Sequence, residues 1–322
     1  MRAIAIQEFG DPSGMALVDV PEPTPGAGQV LVRTAAIGVG GVDAMIRRGT
    51  LGSEHPRGMV PGSEVAGTIV AAGDGVDASW IGRRVWAFTG IAGGYAECAT
   101  APLDDVVPLP ENLSSIDAVT LGSAAPVAHF ALAHAHFAPG ESVLVRGAAG
   151  SIGIAAVELA VRGGASVVAV TTSSAERGRK LHAFGATRVL DRAGNPSDEA
   201  SGASPLFDVI IDIVGGAELP AFVDRLAPNG RLVLVGAVAG FPPAEFGMRL
   251  LQSFQQSRSI ATFSLATIAR ERLVAARIEL FEAAARGELH AVVHAILPLD
   301  QATEAHRMMD RGEVVGRVVL TP

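Results

Sequence analysis

Cysteine is nearly missing from this chain: Cys98 stands alone among 322 residues. No intramolecular disulfide can form, and a zinc site built from several thiolates is excluded. Lysine is equally scarce, since Lys180 is the only one and the other basic residues are arginines. Acidic residues outnumber basic ones, 33 to 25, for a net charge of −8. A nucleic-acid partner, which calls for a basic face, is not expected. Charged residues are 18% and hydrophobic ones 49%, so the chain has ample material for burial and little of the character of a disordered segment. Long hydrophobic runs are missing too: Gly or a charge interrupts each before about 18 residues, the length a membrane span needs. The opening MRAIAIQEFG reaches Glu8 and Gly10 too soon for a signal-peptide apolar stretch. The expectation is a soluble cytoplasmic protein with no membrane partner.

What is present changes character along the chain. Residues 1–121 are rich in Gly and Pro, with short β-like runs at VLVRTAAIG (30–38), EVAGTIVAAG (64–73) and RRVWAF (83–88). Such punctuation predicts a small irregular β-barrel. PLPENLS (108–114) leads into a helix capped by Ser114 or Ser115, with Asp117 in its first turn. From residue 122 apolar runs alternate with helical stretches: SVLVRG (142–147), a helix SIGIAAVELAVRGG, ASVVAVTT (165–172), a helix at 173–185, RVL (188–190), FDVIIDIVG (207–215) and RLVLVG (231–236). Continuous apolar runs between helices predict a parallel sheet covered on both faces, wound right-handedly into a Rossmann-type doubly wound α/β domain. A long helix over about 266–286, a strand at 290–297, a helix after Asp300 and a strand at 317–320 then return to the first domain. The expected division is 1–121 with 264–322, and 122–263.

The motif that carries chemistry is VLVRGAAGSIGIAAVELA, where Gly147, Gly150 and Gly153 recur every three residues between strand and helix. One glycine permits the tight turn, one lets backbone approach a pyrophosphate, and one lets helix pack on strand. The free N–H groups at the helix start then face the phosphates, so Gly147, Ala149, Gly150, Ser151, Ile152 and Gly153 are candidate cofactor contacts. Pure packing is the competing explanation, but the turn sits inside a complete βαβ unit. An NAD-selective site would carry Asp or Glu at the end of the second strand. Here Thr171, Thr172, Ser173 and Ser174 stand there, Arg177 follows one helical turn later, and Arg192 comes after the third strand. Hydroxyls and guanidinium suit a 2′-phosphate, so NADPH is expected over NADH. Val214, Gly236, Ala237 and Phe263 lie at or beyond later strand ends, where ligands bind in this fold. Phe241 and Phe246 share that region, Phe241 as a candidate substrate-mouth residue; core or oligomer contacts explain these rings equally well.

The histidines offer no ligand set. His129, His134 and His136 are expected on one helix at spacings that do not chelate. His290 and His294, placed on a strand, would be about 13 Å apart. His306 is expected to pack within the last helix. Tyr95, the only tyrosine, is expected in the barrel wall, and Asp43 with Arg47 as a buried pair holding a loop.

The chain resembles the zinc-independent quinone oxidoreductases of the medium-chain dehydrogenase/reductase superfamily nearly end to end. MRAI, VDAMIRRG (42–49), VPGSEVAG (60–67), GGYAEC (93–98), PGESVLVRGAAGSIG (139–153), FDVIIDIVGG (207–216), GRLVLVG (230–236) and AHRMMDRGEVVGRVVL (305–320) carry the likeness. It implies a GroES-like substrate domain, a Rossmann domain, nicotinamide in the cleft between them, a homodimer or homotetramer, and hydride transfer from NADPH to quinones or conjugated carbonyls. In zinc-dependent relatives a Cys and the His of a Gly-His-Glu hold the metal. Their places here fall near Gly40-Gly41 and at Ser63, so no metal is expected. The family's Asn is replaced by Gly40 and its Tyr by Met45, which predicts an apolar, roomier substrate pocket at Gly40, Asp43 and Met45. The family's Thr beside the cofactor falls in Ala125-Pro126-Val127. No proton donor is assigned, and solvent is the default. An alkenal or enoyl reductase and a noncatalytic NADPH-binding sensor or structural protein are the competing readings.

Overall fold

A computed structural model describes residues 1–50, 55–196 and 205–322. The chain divides into two compact units, one of residues 1–123 with 270–322 and one of 124–269. In the first unit β1 (Arg2–Ile6) and β2 (Met15–Asp19) form an antiparallel hairpin. There follow β3 (Gln29–Val39), α1 (Gly41–Arg48), β4 (Glu64–Ala72), β5 (Arg84–Phe88), β6 (Cys98–Pro102), β7 (Val106–Pro108) and α2 (Ser115–Leu121). β3 organises the barrel: its first half pairs with β6, most of its length with β4, and its end with the last strand of the chain. Register shifts at Leu31/Val32 and Thr34/Ala36 interrupt the β3–β4 ladder; such bulges bend the strand that carries them. α2 starts as its sequence dictates, with Ser114 Oγ accepting from the Asp117 N–H at 3.0 Å.

The second unit runs α3 (Ala124–His134), β8 (Ser142–Arg146), α4 (Ser151–Arg162), β9 (Val167–Thr171), α5 (Ala175–His182), β10 (Arg188–Leu190), β11 (Phe207–Asp212), α6 (Leu219–Val223), β12 (Leu226–Leu234), α7 (Met248–Gln252) and β13 (Ser259–Thr262). Its six strands are all parallel in the order β10-β9-β8-β11-β12-β13. That is the doubly wound arrangement, with winding reversing between β8 and β11. Val143, Leu144 and Val145 are fully buried, each stabilising the sheet by about 1.5–3 kcal/mol. The apolar run 207–215 does not stay a strand to its end. Asp212 Oδ1 accepts from the N–H groups of Val214 and Gly215 at 2.8 and 3.0 Å, and Gly215 and Gly216 adopt φ of 63° and 72°. The chain therefore turns off the sheet after Asp212.

The chain then returns to the first unit through α8 (Arg270–Ala285), β14 (Val293–Pro298), α9 (Ala302–Asp310) and β15 (Arg317–Thr321). β15 closes on β3 antiparallel and β14 lies parallel beside β15. Two histidine placements differ from expectation. His136 lies past the end of α3, with φ of 50°, and His290 precedes β14, so only His294 is on that strand. Helix 266–286 starts later than its sequence pattern, because Ser264 caps a separate short turn at Leu265–Thr267. One helical stretch, Ser115–His134, is long and apolar enough by length and composition to cross a membrane, although Asp117 and Gly122 interrupt it as read from the sequence; 67% of its most apolar window is buried within the protein.

Candidate functional site

The glycine turn shows three different local environments. Gly147 has φ of 82°, which excludes most side chains, and a Cβ there would lie 2.7 Å from Val214 Cγ2. Gly153 is pressed against the turn it follows, since a Cβ would fall 2.5 Å from Ala148 Cα. Gly150 caps α4 with φ of −83°, and a Cβ there would meet nothing within 4 Å. Two glycines are thus demanded by the fold, while the third leaves open space at a helix start whose N–H groups and dipole favour an anion. Ala149, Gly150, Ser151 and Ile152 are all partly exposed there.

The end of β9 divides its polar residues between two tasks. Thr171 is buried, and its Oγ1 accepts from the Gly147 N–H at 3.1 Å, so this hydroxyl supports the turn. Thr172 is also buried, with no partner for Oγ1 among the described residues. Ser173 and Ser174 are exposed. Ser174 Oγ caps α5 by accepting from the Arg177 N–H at 3.3 Å, and Arg177 Nη1 donates to Ser173 Oγ at 3.0 Å. A guanidinium and a hydroxyl therefore stand together at a helix N-terminus. Arg192 is exposed just beyond β10, the strand paired with β9.

At the reversal point of the sheet, sequence reasoning missed an ion pair. Arg146 ends β8 and Asp212 ends β11, directly opposite each other in the register. Both are buried, with Arg146 Nη1 2.8 Å from Asp212 Oδ2 and from the Gly215 carbonyl. The guanidinium also lies 4.1 Å over the Phe222 ring. With Asp212 Oδ1 holding Val214 and Gly215, the pair fixes the loop that flanks Gly147. Opposite charges closing two apolar runs, SVLVR and FDVIID, were the available signal. The loop after β12 is tied to the same segment: Ala239 N–H donates to the Val214 carbonyl at 2.8 Å, and Gly236 and Ala237 lie along it, partly exposed. Phe263 follows β13 and packs on His134 of α3, ring centroids 5.7 Å apart. Phe241 is 88% exposed.

The first unit holds a buried polar network around α1. Asp43 is fully buried in the first turn, and its Oδ2 accepts from the Gly40 N–H at 2.8 Å and the Tyr95 hydroxyl at 3.2 Å. Tyr95 Oη lies 3.0 Å from His306 Nε2, and Arg47 Nε donates to His306 Nδ1 at 3.2 Å. Asp43 and Arg47 are therefore not a mutual pair, as had been expected. Tyr95 and His306 come between them, and Arg47 turns to Asp310, to which its Nη2 donates at 2.7 and 2.8 Å, and to the Gly10 carbonyl. Burial pushes the Asp43 carboxyl up to about 6, against the pull of the Gly40 N–H and Arg317. Burial, helped by the Arg47 charge, pushes His306 down to about 3, and burial raises Tyr95 well above its ordinary value. Ser63 Oγ donates to Asp43 Oδ1 at 3.5 Å and is partly exposed, as are Gly40 and Met45. Next to it, Glu64 is fully buried and fully engaged, by Arg317 on Oε1 and by Trp86 Nε1 at 2.8 Å on Oε2. A Cβ on Gly40 would lie 3.3 Å from Arg317 Nη2 and 3.4 Å from Asp43 Oδ2, tighter than ordinary contact, so this position is closely packed between a cation and an acid.

A GroES-like barrel joined to a doubly wound dinucleotide fold defines the medium-chain dehydrogenase/reductase class. Comparison with known proteins agrees with this class. Residues 26–111 match the alcohol dehydrogenase GroES-like domain, and residues 184–320 match a family described as zinc-binding dehydrogenase. The chain is 34% identical to the quinone oxidoreductase of Mus musculus over 329 residues, covering 99% of this chain and 97% of that protein. Among solved structures, a mycobacterial protein complexed with NADPH is 32% identical, with TM-score 0.90 and full coverage of both chains. The quinone oxidoreductase of Pseudomonas syringae pv. Tomato DC3000 is 26% identical, with TM-score 0.88, covering 100% of this chain and 99% of that one. The chain belongs to the quinone oxidoreductase family, and is an oxidoreductase.

Proposed function

We propose that this protein is an NADPH-dependent reductase that delivers hydride to quinones or related conjugated carbonyls without a metal. The observation that carries the reading is the glycine turn, where Gly150 alone is free of packing demands and opens at the α4 N-terminus. Bound NADPH would supply the hydride. Ala149, Gly150, Ser151 and Ile152 would hold its pyrophosphate through backbone N–H groups, with Gly147, whose N–H is taken by Thr171, and the packed Gly153 shaping the turn. Ser173, Ser174, Arg177 and Arg192 would take the 2′-phosphate, with Thr171 and Thr172 beneath them. Val214, Gly236, Ala237 and Phe263 would flank the nicotinamide end; in the first unit Gly40 and Met45, partly exposed, would face the acceptor while the fully buried Asp43 could only support them, and Phe241 is the candidate mouth residue of the second unit. The relatives named quinone oxidoreductase and the neighbour complexed with NADPH support the assignment.

The residues at the place of the relatives' zinc do not suit that ion. Gly40 and Ser63 offer no thiolate or imidazole, and both Glu64 oxygens are already bound by Arg317 and Trp86. No group of three or more His, Cys, Asp or Glu able to hold a metal occurs among the described residues. The description of the matched family as zinc-binding therefore carries no step here.

NADPH oxidation with 1,4-benzoquinone or 9,10-phenanthrenequinone tests the reading, and absence of turnover with every quinone would overturn it. Saturated product from an enone, without quinol from any quinone, would select an alkenal or enoyl reductase, a reading favoured by the bare Gly40 position. Tight NADPH binding with no transfer to any acceptor would select a noncatalytic sensor or structural role. The enzyme is further proposed to act in the cytoplasm as a homodimer or homotetramer, which light scattering would distinguish from a monomer.

A further inference from the structure

We infer that Arg146 and Asp212 are positioning residues for the nicotinamide half of the cofactor, acting through the loop at 213–216; the inference rests on the NADPH reading above. The backbone of that loop is hydrogen-bonded throughout within the second unit. The N–H groups of Val214 and Gly215 donate to Asp212 Oδ1 at 2.8 and 3.0 Å, and the Gly215 carbonyl accepts from Arg146 Nη1 at 2.8 Å. The Ile213 N–H donates to the Arg146 carbonyl at 3.2 Å, and the Gly216 N–H to the Gly240 carbonyl at 2.8 Å. The carbonyls of Ile213, Val214 and Gly216 accept from the N–H groups of Val238, Ala239 and Leu219. Gly215 and Gly216 both have positive φ, a region glycine enters and leaves freely, so the backbone alone does not select this shape. The two side chains select it. Both are buried, and the guanidinium is held from one side by the Phe222 ring.

The pair thereby holds a surface of two kinds. With its polar backbone engaged, the loop at 213–216 keeps only the apolar side chains of Ile213 and Val214 partly exposed. The loop after β12 is the reverse. Among the described residues, the Gly236 N–H, the Gly236 carbonyl and the Ala237 N–H have no hydrogen-bond partner, and both residues are partly exposed. An aromatic ring bearing a carboxamide needs both surfaces at once, an apolar wall for the ring and a donor and acceptor for the amide. Their relative placement is set by the bonds between the loops, Val238 to Ile213, Ala239 to Val214 and Gly216 to Gly240, and so by the pair that anchors one of them. The adenosine side is held separately. Thr171 Oγ1 supports Gly147, and Arg177 is bonded to Ser173 and Ser174. None of those bonds uses the Arg146 or Asp212 side chain, so loss of the pair loosens one half of the site and spares the other.

The test compares calorimetric affinities for NADPH and for adenosine 2′,5′-bisphosphate, which carries the 2′-phosphate but no nicotinamide. The proteins are wild type, Arg146→Met, Arg146→Lys and the double variant Arg146→Met/Asp212→Asn. The double variant leaves no buried charge unpaired, so it decides the matter should Arg146→Met fail to fold. Arg146→Met should weaken NADPH roughly tenfold, since binding must then order the loop. Its affinity for the bisphosphate should stay within about twofold, as for an independent site. Arg146→Lys should recover most of the loss, because one nitrogen, Nη1, makes both contacts and an ammonium can replace it. A second readout is the nicotinamide face used. With NADPH deuterated stereospecifically at C4 and 1,4-benzoquinone, wild type should transfer label from one face only, and the double variant from both. Equal weakening of NADPH and the bisphosphate, or of neither, would overturn the inference and make the pair structural only. A wild type that binds NADPH but reduces no acceptor would overturn the reductase reading, and the binding comparison would still decide this one. A wild type that binds neither ligand would overturn both.

Discussion

The two units hold their polar groups in place by opposite means. The dinucleotide unit does it with backbone: a turn of small residues, a helix start, and one buried ion pair, Arg146–Asp212, that holds the neighbouring loop. The barrel unit does it with side chains, seven of which are buried in two hydrogen-bonded sets, Asp43–Tyr95–His306–Arg47 and Arg317–Glu64–Trp86. Backbone recognition tolerates any residue that fits the turn. A buried side-chain network is all or nothing, because each unpartnered member carries a desolvation penalty.

The largest effect that would break this comparison is at Arg146. Replacing it with Ala should cost roughly 3–5 kcal/mol, because Asp212 would be left buried and charged. Denaturant unfolding followed by far-UV circular dichroism measures it. A loss under about 1 kcal/mol would mean the loop at 213–216 is held by other contacts.

The glycines offer a sharper contrast. Gly153→Ala should destabilise by about 1–3 kcal/mol, since its methyl would fall against the Ala148 backbone. Gly150→Ala should leave stability within about 0.5 kcal/mol, since its methyl meets nothing, yet should weaken NADPH binding. Calorimetric titration beside thermal unfolding separates the two, and equal stability losses would erase the distinction drawn between them.

In the barrel unit the smallest effect is a slope. His306 has a folded value near 3, below its unfolded value of 6.5, so below pH 6.5 the unfolded chain takes up a proton and stability falls on acidification. Asp43 has a folded value near 6, above 3.8, so its contribution is fully present below 3.8 and is lost as pH rises toward 6. Between about pH 4 and 6 the two slopes oppose and largely cancel. Asp43→Asn should expose the histidine slope, up to about 1.4 kcal/mol per pH unit. Fluorescence of Trp80 and Trp86, the only tryptophans and both in this unit, reads it. Parallel pH profiles in the two proteins would disprove the opposition.

The same contrast explains what could be read in the sequence. The β8–turn–α4 unit was legible because its signals are local: an apolar run, three glycines at fixed spacing, then a helical pattern. Ser114 was legible as a cap for the same reason. The barrel network was not, because Asp43 reaches Tyr95 across 52 residues, and Tyr95 and Arg47 reach His306 across 211 and 259. Asp43 and Arg47, four apart on one helix, looked like each other's partners. Only the closing of α9 against the barrel, which no local pattern records, inserts His306 and Asp310. Arg146 and Asp212 lie between these cases, 66 residues apart but marked by charge at the ends of two apolar runs.

The account stands most directly on how the end of β9 meets the cofactor. Affinities of NADPH and NADH for wild type and Arg177→Ala, measured by nucleotide fluorescence, test it. The account predicts that NADPH binds wild type more tightly, and that Arg177→Ala weakens NADPH by roughly tenfold or more while leaving NADH nearly unchanged, as expected for a lost charge-assisted contact. Equal weakening of both nucleotides, or none, would contradict it.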